Sequence, residues 1–178
     1  MNTADKQKFQ YAKEILSFMP KNQQRLYGQK VINDNVCITN NYLIYYGSPI
    51  VSIPENTEND YPDMKGYISL INDSVFNNNL ITHNINLNTM QKIYNEAKSW
   101  IEWFGKHEYK SKEYYDRFLV NFSLNGEDFE LDILLLYPLL CLIGSENIQL
   151  KILGKNKPAV LYTKENNNAG LILPMRSH

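Results

Sequence analysis

The stretch of sequence that decides the fold runs from residue 118 to residue 176 and reads FLVNFSLNGEDFELDILLLYPLLCLIGSENIQLKILGKNKPAVLYTKENNNAGLILPMR. Apolar and polar residues alternate on both sides of Asn125-Gly126, a dipeptide typical of a two-residue turn between antiparallel strands. Further along, runs rich in Ile, Leu and Val are separated by turn-forming residues, which predicts more strands. The predicted strands are 118–124, 128–133, 147–153, 158–163 and 169–175.

A continuous apolar run, residues 134–143, lies inside this stretch and is followed by Gly144. Such a run predicts a buried helix that stops at the glycine. Pro138 is tolerated in the first turn of a helix but disrupts its interior, so we expect the helix to begin late, near Leu136.

The first part of the chain predicts a helix and a hairpin. Apolar residues recur at helical spacing over residues 4–18, and a proline follows. Two β-like runs then meet at Asn40-Asn41, where asparagine tolerates the positive φ of a tight turn. The predicted strands of this part are 31–39, 42–47 and 49–53.

The middle of the chain is less regular. Residues 54–66 contain two prolines, a glycine and four acidic residues, which favours a loop or linker. Residues 67–84 receive no assignment, a helix is predicted at 88–104 with Asn86 or Asn88 as its cap, and the charged residues 105–117 are expected to form a solvated loop. The order of helix, strands, helix and strands predicts an α+β domain with a weak internal duplication.

Composition narrows the class of protein. The chain has 178 residues, 43% of them apolar, which is enough to form a hydrophobic core. Its formal net charge is −1, so the overall charge predicts no partner. We expect no membrane span and no signal peptide, because lysines interrupt the first residues. Cys37 and Cys141 lie in apolar surroundings and are expected to be reduced core residues, so a cytoplasmic location is predicted.

Charge is unevenly distributed along the chain. Residues 1–30 carry six basic and two acidic residues, whereas residues 126–150 carry five acidic residues and no basic one. A basic helix can face nucleic-acid phosphates, but a solvated outer face gives the same pattern, and both interpretations remain open here.

We find no motif that predicts catalysis or a cofactor. None of the histidines has a second histidine or cysteine at ligand spacing, and there is no phosphate-binding glycine loop. Two groups of carboxylates could hold a cation, but solvated turn residues are the interpretation that we prefer for both. They are Asp60 with Asp63, and Glu127 with Asp128 and Glu130.

In residues 118–176, the order and spacing of these features resemble the final segment of the bacterial DNA polymerase sliding clamp, the β clamp. That family has a strand pair, a short Leu-rich helix and a closing strand that ends in Met-Pro-Met-Arg or Leu-Pro-Val-Arg. The matching stretches here are FSLNGEDFELDI, LLLYPLLCLI, SENIQLKI, KPAVLYT and GLILPMR. More weakly, Ile38-Thr39-Asn40-Asn41 stands where the family has Ala-Thr-Asp-Gly, and NDYPDMKGYI resembles its Phe-Pro-Asp-Tyr linker.

The resemblance implies an α+β sliding-clamp-like fold with antiparallel sheets and two or three helices. It implies that residues 1–53 form the first helix and hairpin of a clamp-like domain, 54–117 a linker or insertion, and 118–176 a second clamp-like half. The remaining Ser177-His178 is interpreted as a cloning remnant. The chain departs from the family in two respects: its length suits about one and a half clamp domains, and the helix in 134–143 has no lysine or arginine.

The resemblance also implies two binding surfaces. Clamp helices touch DNA phosphates without reading bases, and a separate apolar groove takes short peptides from polymerases and repair proteins. The residues expected to contact DNA are Lys6, Lys8, Lys13 and Arg25. The residues expected to bind peptides are Thr39, Leu43, Leu171, Leu173, Pro174, Met175 and, at the rim, Arg176. Leu171 and Leu173 would also fit the core of an edge strand, so the groove has a purely structural alternative.

Three functions follow as hypotheses. The first is a replication processivity factor, from a phage or a plasmid, that forms a homo-oligomeric ring, contacts the DNA backbone and binds polymerase peptides. The second is a clamp-fold phage regulator or inhibitor that binds host replication proteins without encircling DNA. The third, more distant, is an enzyme built around residues 60–84, which replacement of Asp60, Asp63 and His83 would test.

Overall fold

A computed structural model describes residues 1–18, 27–58, 61–105, 118–144 and 146–175, with only the backbone described at 104 and 105. The helices of this part of the chain are α1 (Thr3–Ser17), α2 (Lys65–Phe76), α3 (Leu87–Gly105) and α4 (Ile133–Ile143). The strands are β1 (Lys30–Ile32), β2 (Asn35–Thr39), β3 (Leu43–Gly47), β4 (Ile81–Asn84), β5 (Leu119–Leu124), β6 (Glu127–Asp132), β7 (Gln149–Ile152), β8 (Ala159–Tyr162) and β9 (Ala169–Ile172).

Seven strands form one antiparallel sheet in the order β1-β2-β3-β9-β8-β7-β4, and β5 and β6 form a separate hairpin. Six of the seven strands belong to two units of the same design, α1-β1-β2-β3 and α4-β7-β8-β9. These units meet where β3 pairs with β9, so the strand order reads the same from either side of that pair. The pairing register is itself two-fold symmetric: Leu43 pairs with Ile172, and Ile44 pairs with Leu171.

A buried asparagine occupies the same position in each unit. The side-chain amide of Asn40 donates to the Ile15 carbonyl at the end of α1 over 3.0 Å, and that of Asn168 donates to the Ile143 carbonyl at the end of α4 over 3.1 Å. Each asparagine precedes the last strand of its unit. The number of residues between the asparagine and the carbonyl to which it donates is the same in both units. Each of these bonds satisfies a carbonyl that the helix end leaves without a partner.

The two faces of the sheet carry different helices. Gly170 of β9 faces α4, since a Cβ atom there would lie 2.8 Å from the Leu139 side chain. Successive residues of a strand point to opposite faces, so Leu171 points away from α4, towards α2. On the α4 side, α1 packs beside α4, and α3 lies over α4 with Tyr94 and Tyr137 ring centroids 4.6 Å apart.

The described structure confirms most of the predicted elements. The helices predicted at 4–18 and 88–104, the Asn125-Gly126 hairpin and the strands after Gly144 are all present. The run 31–39 was wrong as a single strand, because Asn33 and Asp34 form a turn with φ of 49° and 65° that divides it into β1 and β2. The predicted loop at 105–117 lies almost wholly outside the described residues.

The strand predicted at 49–53 is also wrong. This segment is a turn, and the side chain of Gln29 takes the place of a neighbouring strand. Its amide donates to the carbonyls of Ile50 and Ile53, while its oxygen accepts from the Ile50 N–H over 2.9 Å. Since the backbone groups are satisfied by a residue distant in sequence, local β propensity did not decide the conformation.

Helix α4 begins at Ile133, earlier than the predicted start near Leu136. Asp132 caps it by accepting the Leu134 N–H over 2.8 Å, and the Ile133 N–H donates to the Phe118 carbonyl of the segment before β5. Pro138 therefore lies inside the helix. Its missing N–H removes one helical hydrogen bond, and the burial of almost every side chain of α4 offsets that loss. In the described part of the chain, no helix is long and apolar enough to cross a bilayer.

Candidate partner-binding groove

A groove of about 160 Å³ lies on the α2 face of the sheet, where the β2–β3 turn meets the end of β9. We call it the Leu171 groove. The sheet supplies one wall, and the segment leading into α2 supplies the other. Its lining residues are Thr39, Asn41, Tyr42, Leu43, Ile44, Pro62, Met64, Tyr67, Leu171 and Leu173. Four of the residues predicted to bind peptides, Thr39, Leu43, Leu171 and Leu173, are therefore brought together.

The β2–β3 turn holds this groove in shape. Asn40 is 1% exposed, and its side-chain oxygen accepts the N–H groups of Tyr42 and Leu43, each over 3.1 Å. The Thr39 hydroxyl donates to the Leu43 carbonyl over 2.8 Å, and Asn41 adopts a φ of 74°. Because its polar groups bond within the turn or to α1, the turn presents mainly apolar surface to the groove.

The mouth of the groove is apolar and accessible. Tyr42, Tyr67 and Leu173 are 47%, 45% and 39% exposed, whereas Met64 and Leu171 form a buried floor. A concave site with a buried apolar floor and aromatic residues at its rim is the usual form of a small binding pocket or of a hot spot for a short peptide.

The sequence analysis did not assign Pro62, Met64 or Tyr67 to the groove. They belong to the NDYPDMKGYI stretch, which was matched to a linker. The resemblance to a linker is the sequence feature that could have placed these residues in the groove, because a linker that crosses the sheet must cover some part of it. Asp63, considered there for a cation, instead accepts the Lys65 N–H over 3.0 Å at the start of α2.

Two of the predicted peptide-binding residues lie elsewhere. Pro174 and Met175 line a different, more polar cavity together with Asp128, Glu130 and Lys155. The Met175 N–H donates to the Glu130 carbonyl over 2.9 Å, which fixes the chain end against β6. Arg176 lies outside the described residues, so its predicted place at the rim stays a prediction.

The residues predicted to contact DNA are only partly displayed. Lys6 and Lys13 are exposed on α1, Lys8 is half-buried with its side chain near Gly144, and Arg25 lies outside the described residues. In the equivalent helix of the second unit, α4, every residue except Cys141 is buried, and α3 lies over it.

A polar cluster joins α1 to α3. Glu14 accepts the Tyr94 hydroxyl over 2.6 Å and pairs with Lys98, also at 2.6 Å. Burial, followed by the hydrogen bond to Glu14, raises the pKa of the Tyr94 phenol, so this hydroxyl stays protonated and acts as a donor. The cluster therefore works as a fixed link between two helices.

The described residues contain no cluster of histidine, cysteine and carboxylate side chains that could hold a metal ion. Burial raises the pKa of the Cys37 thiol to about 12 and also raises that of Cys141, which leaves both thiols protonated at neutral pH. His83, on the edge strand β4, contacts the Ser123 carbonyl over 3.0 Å and the Phe122 ring. Asp60 lies outside the described residues.

Comparison with solved structures identifies the fold. A sliding clamp of Bacillus subtilis matches with a TM-score of 0.56 and 11% identity, over 98% of this chain and 63% of the clamp. The β clamp of Helicobacter pylori, bound to a DNA ligase peptide, matches with a TM-score of 0.54 and 10% identity, over 93% and 62% of the two chains. A Pseudomonas aeruginosa clamp bound to griselimycin gives 0.53 and 13%, over 99% and 64%.

Sequence comparison adds nothing to this result. No protein-family model matches the chain, and no curated protein matches it by sequence. The matched regions span less than two thirds of each of these clamps. The expected fold is nevertheless confirmed: the chain has the α+β fold of the bacterial DNA polymerase sliding clamps.

Proposed function

We propose that this protein is a DNA replication accessory protein of the sliding-clamp type, which binds short peptides of polymerases or other replication proteins in the Leu171 groove. The observation that carries the proposal is the groove itself, whose lining includes Thr39, Leu43, Leu171 and Leu173. Its role is to tether a partner.

Peptide binding tests the groove directly. A fluorescein-labelled clamp-binding peptide from a bacterial replicative polymerase serves as the probe, and its scrambled version is the control peptide. We expect Tyr67→Ala and Leu173→Asp each to weaken binding about tenfold or more, because truncated or charged hot-spot positions cost at least about 1.4 kcal/mol.

Val51→Ala provides the matched control, since Val51 is 50% exposed and lies in the turn before residue 54, outside the groove. Fluorescence polarisation should show unchanged affinity for this variant. Equal binding of the scrambled peptide, or full affinity in both groove variants, would contradict the proposal.

The processivity role requires a ring in addition to a groove. We propose that copies of the chain associate with closed symmetry and that Lys6 and Lys13 of α1 contact the DNA backbone. Sedimentation of the purified protein should then give a defined dimer, trimer or hexamer. Protein loaded on nicked circular DNA should stay bound and should be released when the circle is linearised.

Charge reversal sharpens this test. The double variant Lys6→Glu/Lys13→Glu should reduce retention on circular DNA and make binding less dependent on salt, whereas Lys157→Glu in the β7–β8 turn should do neither. A monomer at all concentrations, or equal retention on linear and circular DNA, would remove the ring from the proposal and leave peptide binding intact.

The second candidate is a clamp-fold regulator, from a phage, that binds host replication proteins without encircling DNA. The burial of α4 under α3 favours it, because only one of the two equivalent helices is left to face DNA. A monomeric protein that binds a host clamp or clamp loader and blocks DNA synthesis would select this alternative.

A further inference from the structure

A second groove, of about 470 Å³, lies on the same face of the sheet as the Leu171 groove, at the opposite end of α2. We call it the Phe76 groove. Its walls are the C-terminal half of α2, the ends of β2 and β3, and the loop between β8 and β9. Its lining residues are Asn35, Tyr46, Ile71, Asn72, Val75, Phe76, Tyr162, Thr163, Lys164, Asn166, Asn167, Asn168 and Ala169.

The two grooves lie on the same face of the sheet. Ile44 and Leu171 pair across β3 and β9 and line the Leu171 groove, and Tyr46 and Ala169, which also pair, line the Phe76 groove. Each pair lies two residues from the other along both strands, so all four side chains point to the α2 face. Helix α2 therefore separates two parts of one surface.

The chemistry of the Phe76 groove differs from that of the Leu171 groove. Phe76 is 82% exposed at its edge, which makes it the most exposed of the large apolar side chains in the described residues. Among the described residues, no carboxylate lines this groove, whereas Lys164 does, and it is exposed. The groove thus combines an apolar edge with a positive charge that no lining residue neutralises.

A second lysine adds to this positive charge. The Lys151 ammonium lies beneath α2 and donates to the carbonyls of Ser74, Val75 and Asn77 over 2.7–3.0 Å. Burial lowers the pKa of Lys151, and repulsion from the charge of Lys164 lowers it further. An anion bound at Lys164 would relieve that repulsion.

We propose that the Phe76 groove binds an extended segment of a partner protein in which a carboxylate side chain lies next to an apolar residue. Lys164 pairs with the carboxylate, and Phe76 covers the apolar side chain. The exposed amides of Asn72 and Asn167 are placed to bond the main chain of the segment. The proposal does not depend on the replication function, because it uses only the residues of this second groove.

Selection from a library of random displayed peptides against the full chain tests the proposal. To weaken the first site, the selection uses the Leu173→Asp variant, which places a charge at the apolar mouth of the Leu171 groove. We expect the recovered peptides to be enriched in aspartate or glutamate beside Leu, Ile or Phe. Recovery of basic peptides, or no enrichment at all, would overturn the proposal.

Labelled versions of the recovered peptides then locate the site by fluorescence polarisation. Lys164→Glu and Phe76→Ala should each weaken binding about tenfold or more, and replacing the peptide carboxylates by amides should have a similar effect. Lys92→Glu on α3 and Val51→Ala are the matched controls, because they make the same chemical changes at exposed positions away from the groove.

The outcomes separate the two sites. If Lys164→Glu and Phe76→Ala leave peptide binding unchanged, the Phe76 groove is not the site. If a single-stranded oligonucleotide binds at Lys164 and displaces the peptide, the ligand class is wrong. If Tyr67→Ala and Leu173→Asp do not weaken binding of the polymerase peptide, only the proposed function is contradicted.

Discussion

Helices α1 and α4 occupy equivalent places in the two units of the sheet but meet different surroundings. Helix α1 buries one stripe, including Ala12, Ile15 and Leu16, and leaves lysines on its other side. Helix α4 is buried on nearly every side, because α3 lies across it. Because α3 covers only α4 in this way, the two equivalent helices differ, and α1 is the one with an exposed basic side.

The largest expected effect tests whether α4 is more deeply buried than α1. Leu136 of α4 and Lys8 of α1 hold equivalent positions, and Leu136 is fully buried. We expect Leu136→Ala to lower the free energy of unfolding by about 2–5 kcal/mol, since it removes core contacts and leaves a cavity. Lys8→Ala should change it by less than about 0.5 kcal/mol.

Chemical denaturation with urea measures both variants. Equal losses at the two positions would mean that α1 and α4 are buried alike, which would contradict the role given to α3.

The next effect compares the two asparagines. We expect Asn40→Ala to cost about 2–3 kcal/mol, because it leaves the Tyr42 and Leu43 N–H groups and the end of α1 without their partner. Asn168→Ala should cost less, about 1–2 kcal/mol, because it leaves one backbone N–H, that of Ser48, without its partner, while Asn166 still donates to the Ile143 carbonyl.

A binding measurement separates these two variants further. Only Asn40→Ala should weaken peptide binding in the Leu171 groove, since Asn40 shapes the β2–β3 turn and Asn168 lies beside the Phe76 groove. If Asn168→Ala weakened binding of the polymerase peptide as much, the two sites would not be independent.

The smallest effect concerns the caps of the two helices. Asn2, which is neutral, caps α1, whereas Asp132 caps α4. Burial raises the pKa of Asp132, and the hydrogen bond from the Leu134 N–H partly opposes that rise. The folded chain therefore holds this proton more tightly than the unfolded chain. The contribution of Asp132 to stability is greatest below the ordinary carboxyl pKa of about 3.9 and falls as pH rises through the raised value.

Asp132→Asn should keep the cap but remove the decrease in stability with rising pH. The difference in unfolding free energy between the variant and the parent chain, followed from acidic to neutral pH, should grow in favour of the variant. A constant difference would show that Asp132 does not titrate differently in the folded state.

Much of the fold could be predicted from local patterns. The Asn125-Gly126 turn, the helix stop at Gly144 and the amphipathic spacing of α1 and α3 are properties of short segments. The exceptions have a tertiary cause: Gln29 replaces a strand partner for residues 50–53, and Asp132 with the Phe118 carbonyl starts α4 ahead of Pro138.

The sequence by itself determined the α+β class and the order of most of the elements, because periodicity and turn chemistry act over a few residues, whereas the leucines of the Leu171 groove were implied by the resemblance to the clamp family. Only the tertiary structure decided that Met64 and Tyr67 close that groove, that Met175 is held on β6 instead, and that α3 hides α4. These features depend on contacts between segments far apart in the chain, for which no local pattern specifies the partner.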